Sequence, residues 1–358
     1  HIVEFRGFER FIRGRLLWEV PVIVQRLCGI CPVSHHLAAA KAMDMIVGVD
    51  VLPPTAEKMR RLMHYGQVMQ SHVLHFFHLA APDLLFGFGA PAERRNIFEV
   101  IRENPELGRR AVAMRRFGQE IIEATAGKKI HGTGAVPGGI NRNLDIATRD
   151  RLLAQVDDML AWAQDALALA RGYTLDHADL VANFASFPSN HMALARAGDG
   201  ALDLYHGQLR AIDSAGGTIF EGLDYSRYHE FLVEDVRPWS YMKFPFIRDL
   251  GPEAGWYRVG PLARMNVAAF IDTPLADAAH RDLKAATGGR PNNTALANHW
   301  ARMIEVLHCV EMIRELLHDP DLQGADLIAT GERRREGIGV IEAPRGNLIH
   351  HYQVDEHD

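Results

Sequence analysis

A mainly α-helical fold with minor β pieces is predicted by three features of the sequence. Apolar residues recur at three- and four-residue steps over long stretches, Pro and Gly punctuate the ends of those stretches, and no βαβ alternation calls for a parallel sheet. The first segment, His1 to Pro21, mixes basic and apolar residues without a clean period. Pro32 suits the first turn of a helix, and Val33 to Met43 is rich in strong helix formers, so a helix is expected there. Pro53-Pro54 breaks the chain, and Thr55 can cap the next helix. Met59, Leu62, Gly66, Met69, Val73, Phe76 and Ala80 then form one stripe, which predicts a long central helix of about seven turns facing a core.

The remaining elements are read from the same signals. Pro82 to Pro91 and Gly132 to Asn143 are rich in breakers and predict loops. Helices are expected from about Pro105 to Ala126, closed by Gly127, from about Ile146 to Arg171, from about Leu175 to Phe184, and from Thr294 to Leu317. Pro238 to Val267 is aromatic, carries Pro and Gly, and holds short β-type runs such as Trp256-Tyr257-Arg258-Val259. Gly337 to Val354 combines β-branched residues with turn signals. Neither an internal repeat nor linker-like composition interrupts the chain, so a single domain spanning 1–358 is expected.

Composition narrows the function. Of 358 residues, 47% are apolar and 23% charged, the balance of an ordinary globular protein, which excludes a disordered or low-complexity chain. A net charge of -6 argues against broad nucleic-acid binding, which needs a basic face. No run approaches the roughly 18 uninterrupted apolar residues of a membrane helix. Three cysteines cannot build a disulfide scaffold. Two of them, Cys28 and Cys31, are spaced so that both sulfurs can converge on one ion. The chain opens on His1 instead of Met, as expected of a fragment or processed product.

Four constellations could carry chemistry. In Arg26-Leu27-Cys28-Gly29-Ile30-Cys31-Pro32-Val33-Ser34-His35 the thiols precede or open a helix whose amides favour thiolate. Arg26 adds positive charge, and His35, one turn after Cys31, can reach back toward its sulfur. Soft thiolates select nickel, zinc, copper or iron–sulfur centres. A lone C-x-x-C also fits buried thiols, a redox dithiol or half of a zinc site, and these readings stay open on the residues alone. In Glu342-Ala343-Pro344-Arg345-Gly346, the Pro and Gly make a stiff turn that holds one guanidinium out in a set direction. A solvated loop arginine is the plainer reading of that turn. His72, His75 and His78, beside Gln70, lie on one helical flank and read more readily as edge-of-core histidines than as ligands. Phe5-Arg6-Gly7-Phe8-Glu9 says nothing alone.

Together these residues resemble the large subunit of nickel–iron hydrogenases, most closely the soluble, bidirectional, NAD-linked group. Arg26 to His35 resembles the amino-terminal nickel motif, and Phe5 to Glu9 a segment that stands at the right distance before it. His75-Phe76-Phe77-His78-Leu79, Trp239 to Pro245, Gly260-Pro261-Leu262-Ala263-Arg264 and Glu342 to Gly346 resemble further family segments, in the family's order and nearly end to end. The resemblance implies reversible, heterolytic oxidation of H2 at a nickel–iron centre whose iron carries carbon monoxide and cyanide. Cys28 would be a terminal thiolate on nickel and Cys31 would bridge nickel and iron. His35 would hydrogen-bond the Cys31 sulfur. Arg345, after Pro344, would hang over the open side of the metals and assist H–H cleavage. Glu9 would hold a structural magnesium ion. The expected partners are a small subunit with iron–sulfur clusters and a flavin/NAD diaphorase, in the cytoplasm, with no nucleic acid and no direct membrane span.

The departures are equally specific. The family carries a second C-x-x-C near its carboxy terminus and a glutamate for proton transfer near its amino terminus, and neither is present. Gln70 stands where many relatives are expected to carry an aspartate near the metals. The chain is therefore expected to be a large subunit truncated at both ends. A hydrogenase-derived structural or coupling subunit of a respiratory complex is the alternative, and a structural zinc protein is a third. With two thiolates of four, the 358-residue chain alone is expected to hold no stoichiometric nickel. Elemental analysis of the isolated chain tests this, and restoring a carboxy-terminal C-x-x-C segment should bring nickel binding back.

Overall fold

The computed structural model describes residues 7–356. Phe5 and Arg6 of the Phe5–Glu9 segment lie outside it. Six helices position the site: α1 (Pro32–Ile46), α2 (Pro54–Val73), α3 (Pro105–Ala126), α4 (Ile146–Asp176), α5 (Pro261–Val267) and α6 (Asn298–His318). A sheet of four strands, β1 (Asn190–Ala195), β2 (Gln208–Ile212), β3 (Thr218–Leu223) and β6 (Tyr257–Arg258), runs in the order β3-β2-β1-β6, with only the β1–β6 pair parallel. Two longer antiparallel hairpins, β4 (Leu232–Val236) with β5 (Lys243–Ile247) and β7 (Glu336–Ala343) with β8 (Gly346–Gln353), and a short pairing of Ala135–Val136 with Gly139–Ile140 complete the frame. The fold is mainly helical with small sheets, as the periodicity predicts.

The apolar stripe of α2 is fully buried at Met59, Leu62, Met69 and Val73, and packs on α3 and α6. Helix α6 is buried on nearly every face from Trp300 to Val310, and also lies against α4 and α5. An all-round buried helix cannot leave its polar residues to water, so Arg302, Glu305, His308 and Glu311 must find partners inside. Helix α1 rests directly on β7. A Cβ at Gly337 or Gly339 would sit 2.0 Å from the carbonyl oxygen of Ala42 or Ala38, so only glycine lets the helix and strand backbones approach this closely.

Several boundaries depart from the sequence expectations. The long central helix is regular only to Val73 and widens into a π-turn over Leu74–Ala80. The expected loop at Pro82 begins as a short helix, Ala81–Phe86, because Pro is tolerated in a first turn. Helix α4 runs through Gly172 to Asp176, and the break falls at His177, so the next helix is only Ala178–Asn183. Packing of Ala163, Ala166, Ala170 and Thr174 outweighs the weak propensity of one glycine. Pro261–Val267 is helical, not β, and α6 starts at Asn298, not Thr294. The unperiodic first segment contains short helices at Gly7–Ile12 and Val20–Ile23.

Gly339→Ala should destabilise the protein by about 2–3 kcal/mol, since the new methyl meets backbone instead of a movable side chain. Gly172→Ala, with nothing within 4 Å of the new Cβ, should stabilise it by about 0.5–1 kcal/mol. Chemical denaturation of both variants checks the pair, and a neutral Gly339→Ala would contradict the close packing of α1 on β7.

Candidate metal centre

Cys28 is extended and ends a 3₁₀ turn (Val24–Leu27), and Cys31 is the residue from which α1 starts. Pro32 at the first helical position has no N–H to satisfy and presets the turn. The loop between the thiols is clamped from α2: Gln67 Nε2 donates to the Ile30 carbonyl at 3.0 Å and Gln70 Nε2 at 3.2 Å. The Cys31 amide donates to Cys28 Sγ at 3.4 Å, which draws the two sulfurs to one side.

Arg345 approaches the same site from the β7–β8 hairpin. Ala343 pairs with Gly346 across a two-residue turn, so Pro344 and Arg345 form its tip. The turn is wedged against the start of α5: Gly260 has φ +91°, and a Cβ there would lie 2.9 Å from the Arg345 carbonyl oxygen. Arg345 Nη1 donates to Ser71 Oγ at 3.3 Å. The side chain beside Arg345 is thus Ser71, one position after the Gln70 singled out in the sequence. The π-turn begins shortly beyond it, and Gln70 faces the cysteine loop instead.

Burial works to raise the Cys28 thiol, but hydrogen bonds from Cys31 and Ile30 and the charge of Arg345 carry it below its ordinary value. Burial and the neighbouring Cys28 push Cys31 up to about 12, against the pull of Arg345. Arg26 is not the charge acting here, because its Nη1 is turned back to the Val22 carbonyl at 2.5 Å. Cys309 is buried within α6, and burial raises its thiol well above the ordinary range. None of the three cysteines forms a disulfide.

Behind Arg345 lies a buried ionic network. Arg264 of α5 donates to both oxygens of Glu305 at 2.6 Å, to Glu342 at 2.8 Å, and to the Ala343 and Pro344 carbonyls at 3.0 and 3.2 Å. His72 Nε2 donates to Glu305 at 2.7 Å, and its Nδ1 accepts from Arg302 at 3.2 Å, which fixes a neutral ring. Burial opposes ionisation of Glu305, yet Arg264 and His72 hold its carboxyl down at about 2. Burial pushes Glu342 the other way, although Arg264 and the Leu194 amide oppose it. Nothing in the sequence pattern marks Arg264, Glu305 or Arg302 as a network. A charged residue inside an all-apolar helical stretch is the one signal that could have found them.

The three histidines of the flank do not converge. His72 joins the network, His75 stacks on His299 with ring centroids 5.6 Å apart, and His78 leaves its Nδ1 without a hydrogen-bond partner. His35 Nδ1 pairs with His350 Nε2 at 3.1 Å, and this is the contact the structure gives the ring in place of the expected Cys31 sulfur. Glu9 is exposed on its short helix and lines a cavity of about 1070 Å³ together with His35 and His350.

Among the described residues no group of three or more His, Cys, Asp or Glu side chains is placed to hold a metal ion. The donor set that is present, two thiols with one already shifted toward thiolate beside a guanidinium, fits two positions of a soft-metal centre. It does not complete a tetrahedral zinc site, and no closed ligand set surrounds Glu9 among the described residues.

Comparison with known proteins gives a consistent answer. A family model described as nickel-dependent hydrogenase matches residues 6–86. The chain is 49% identical to the NAD-reducing hydrogenase HoxS subunit beta of Cupriavidus necator, across 99% of this chain and 75% of that protein. It superposes on a crystal structure of an NAD+-reducing [NiFe]-hydrogenase in the H2-reduced state with a TM-score of 0.97 and 54% identity, over 100% of this chain and 79% of that one. No helix among the described residues is long and apolar enough to cross a membrane.

Glu305→Gln should cost about 3–5 kcal/mol, because it strips Arg264 of half of its buried counter-charge. Stability should also fall in acid. His36, His64, His191 and His299 are each held neutral by burial, at about 4 against an ordinary 6.5. The unfolded chain therefore takes up protons first, and stability declines as pH drops from about 6.5 toward 4. Glu305 adds a lower window: its contribution is complete above 4.5 and disappears as pH falls toward 2. Denaturation midpoints that stay flat down to pH 4 would contradict the neutral burial of these histidines.

Proposed function

The chain belongs to the nickel-dependent hydrogenase family, and from that premise we propose that it is the catalytic large subunit of an NAD-linked nickel–iron hydrogenase. The observation that carries the reading is the meeting of Cys28, Cys31 and Arg345: one guanidinium, delivered by a separate hairpin, exerts its charge on both sulfurs.

Cys28 and Cys31 would hold the centre through their sulfurs, both as thiolate ligands. When bound, the nickel–iron centre with its carbon monoxide and cyanide supplies the affinity for H2 and the acceptor of its electrons. The chain's own part is positioning and electrostatics. Gln67 and Gln70 keep the cysteine loop from relaxing away from α2. The proton released when H2 separates heterolytically needs a positioned base, and the sulfurs of this pair are the acceptors the chain brings there. Arg345 brings positive charge to both sulfurs, in a planar fork. Ser71 takes one of its N–H groups and limits its swing. Each H2 yields two protons and two electrons.

Electrons would pass to iron–sulfur clusters on a small subunit and then through flavin to NAD, because three cysteines cannot hold a cluster in addition to the metal site. Glu9 offers a carboxylate for a hard cation such as magnesium. A single large-subunit domain in the cytoplasm completes the reading.

In the assembled enzyme, Arg345→Lys should lower H2 turnover by about 100-fold, with nickel content retained, since lysine keeps the charge and loses the planar fork. Cys28→Ser should lose nickel as well as activity. Elemental analysis run beside an H2-uptake assay separates the two, and full activity in Arg345→Lys would remove Arg345 from the reaction.

A further inference from the structure

Cys31 and Arg345 stand on different elements, so their relative position depends on how α1 and β7 are joined. The glycines at 337 and 339 bring the two backbones together, but apolar contact is non-directional and does not by itself stop one element from sliding on the other. One buried polar side chain crosses the contact. Lys41 of α1 donates from Nζ to the Val340 carbonyl of β7 at 2.7 Å and to the Tyr205 carbonyl at 2.5 Å.

Both acceptors are placed where they bear on the Arg345 turn. Successive residues of an antiparallel strand turn their backbone groups alternately to the partner strand and outward. Val340 and Glu342 use the outward edge of β7: the Val340 carbonyl takes Lys41, and the Glu342 amide donates to the Leu204 carbonyl at 3.0 Å. The same Leu204 carbonyl accepts from His64 Nε2 of α2 at 3.0 Å. Asp203 steadies this corner by accepting from the amides of Tyr205 and His206 at 2.8 and 2.9 Å, and it pairs with Arg61 of α2 at 3.3 Å. Residues 203–206, between β1 and β2, therefore tie together the helix that starts at Cys31, the helix that carries Ser71, and the strand that ends at the Arg345 turn.

The chemistry of the tie explains why a lysine makes it. An ammonium has three N–H groups, and two are given to carbonyls. Nζ also lies 4.8 and 5.3 Å from the ring centroids of Tyr205 and Tyr225, so its charge is met by ring faces as well as carbonyl dipoles. The nearby carboxylates are committed elsewhere, Asp44 to Arg60 and Glu57 to Arg61 and His206. Burial draws Lys41 down to about 8, while Asp203 and Glu57 pull the other way, so it carries its charge near pH 7. Hydrogen bonds from a charged donor are shorter and stronger than those from a neutral one. This charge is thus spent on backbone, the part of β7 whose displacement would carry the turn with it.

We propose that Lys41 is a positioning residue for the reaction: through the Val340 and Tyr205 carbonyls it fixes the offset between the helix that starts at Cys31 and the strand that delivers Arg345. The role in the reaction rests on the proposed function, whereas the tie itself does not.

Hydrogen–deuterium exchange of the full chain, resolved to single amides, tests the tie without any metal. Lys41→Met keeps an unbranched stem and loses the donors and the charge. In it, the amides from Val340 to Ile349 should exchange about 10-fold faster, while those of α3 and α4 keep their rates. Lys41→Arg should restore protection. Phe117→Leu, buried on α3, is the control: it should lower the denaturation midpoint and leave the hairpin amides unchanged. Hairpin amides that keep their rates in folded Lys41→Met overturn the proposal, and so does equal acceleration in Phe117→Leu. Should Lys41→Met not fold, Tyr225→Leu, which removes one ring face and neither carbonyl, must show the same local pattern at smaller amplitude, and unchanged exchange there overturns the proposal as well. In the assembled enzyme, Lys41→Met should lower H2 turnover per nickel by roughly 10-fold with KM for H2 unchanged, and should shift the infrared bands of the carbon monoxide and cyanide on iron. Phe117→Leu should move neither. A loosened hairpin with wild-type turnover per nickel and wild-type bands would leave Lys41 a merely structural residue and overturn its positioning role. An assembled wild-type enzyme without nickel and without H2 turnover would instead sink the functional reading, and the exchange rates would still decide the tie.

Discussion

Arg264 is buried without solvent contact, and five hydrogen-bond acceptors from three separate parts of the fold converge on its guanidinium. Glu305 comes from the central helix α6, Glu342 from the end of β7, and the two carbonyls from the Arg345 turn itself. A buried charge is tolerable only when it is paired and its donors are all used, and here both conditions are met by the same contacts. The consequence is geometric. The turn cannot shift without breaking bonds to Arg264, and Arg264 cannot shift without exposing Glu305, which in turn holds His72 on α2. The direction in which Arg345 points is set by a network whose residues never touch the sulfurs.

The opposite side of the site is held by neutral amides. Gln67 and Gln70 fasten the cysteine loop to α2 through a single carbonyl, and glycines at 337 and 339 let α1 lie against β7. The pieces bearing the thiols and the guanidinium are therefore referred to the same two elements, α2 and the β7–β8 hairpin. Ionic contacts fix the charged partner where a rigid fork is wanted. Weaker contacts hold the thiols, whose ionisation depends on a modest balance between burial and the nearby positive charge.

Legibility in the sequence tracked the range of the interaction. The stripe from Met59 to Val73 and the run ending at Gly127 were readable because helix periodicity and capping are local. The sheet at 190–223 was not, since Met192, Ala193, Leu194 and Ala195 are consecutively buried and show no alternation. The contact of Ser71 with Arg345 was also hidden, because it is settled by how α2 meets the hairpin. His35 was singled out as part of the constellation, but its partner lies 315 residues away on β8 and no spacing rule reaches that far.

By itself the sequence determined the helical class and the order of the candidate groups: Cys28, Cys31, His35, Arg345. Residue type and short spacing are enough for that, because they decide which atoms are soft, charged or able to donate. Only the tertiary structure decided what each group faces. It turned Arg26 away and brought Arg345 to the thiols, set Ser71 beside Arg345 and Gln70 against the cysteine loop, and joined His35 to His350. Those outcomes depend on burial, which sets the worth of a charge or a hydrogen bond, and burial is a property of the packed chain and not of any segment of it.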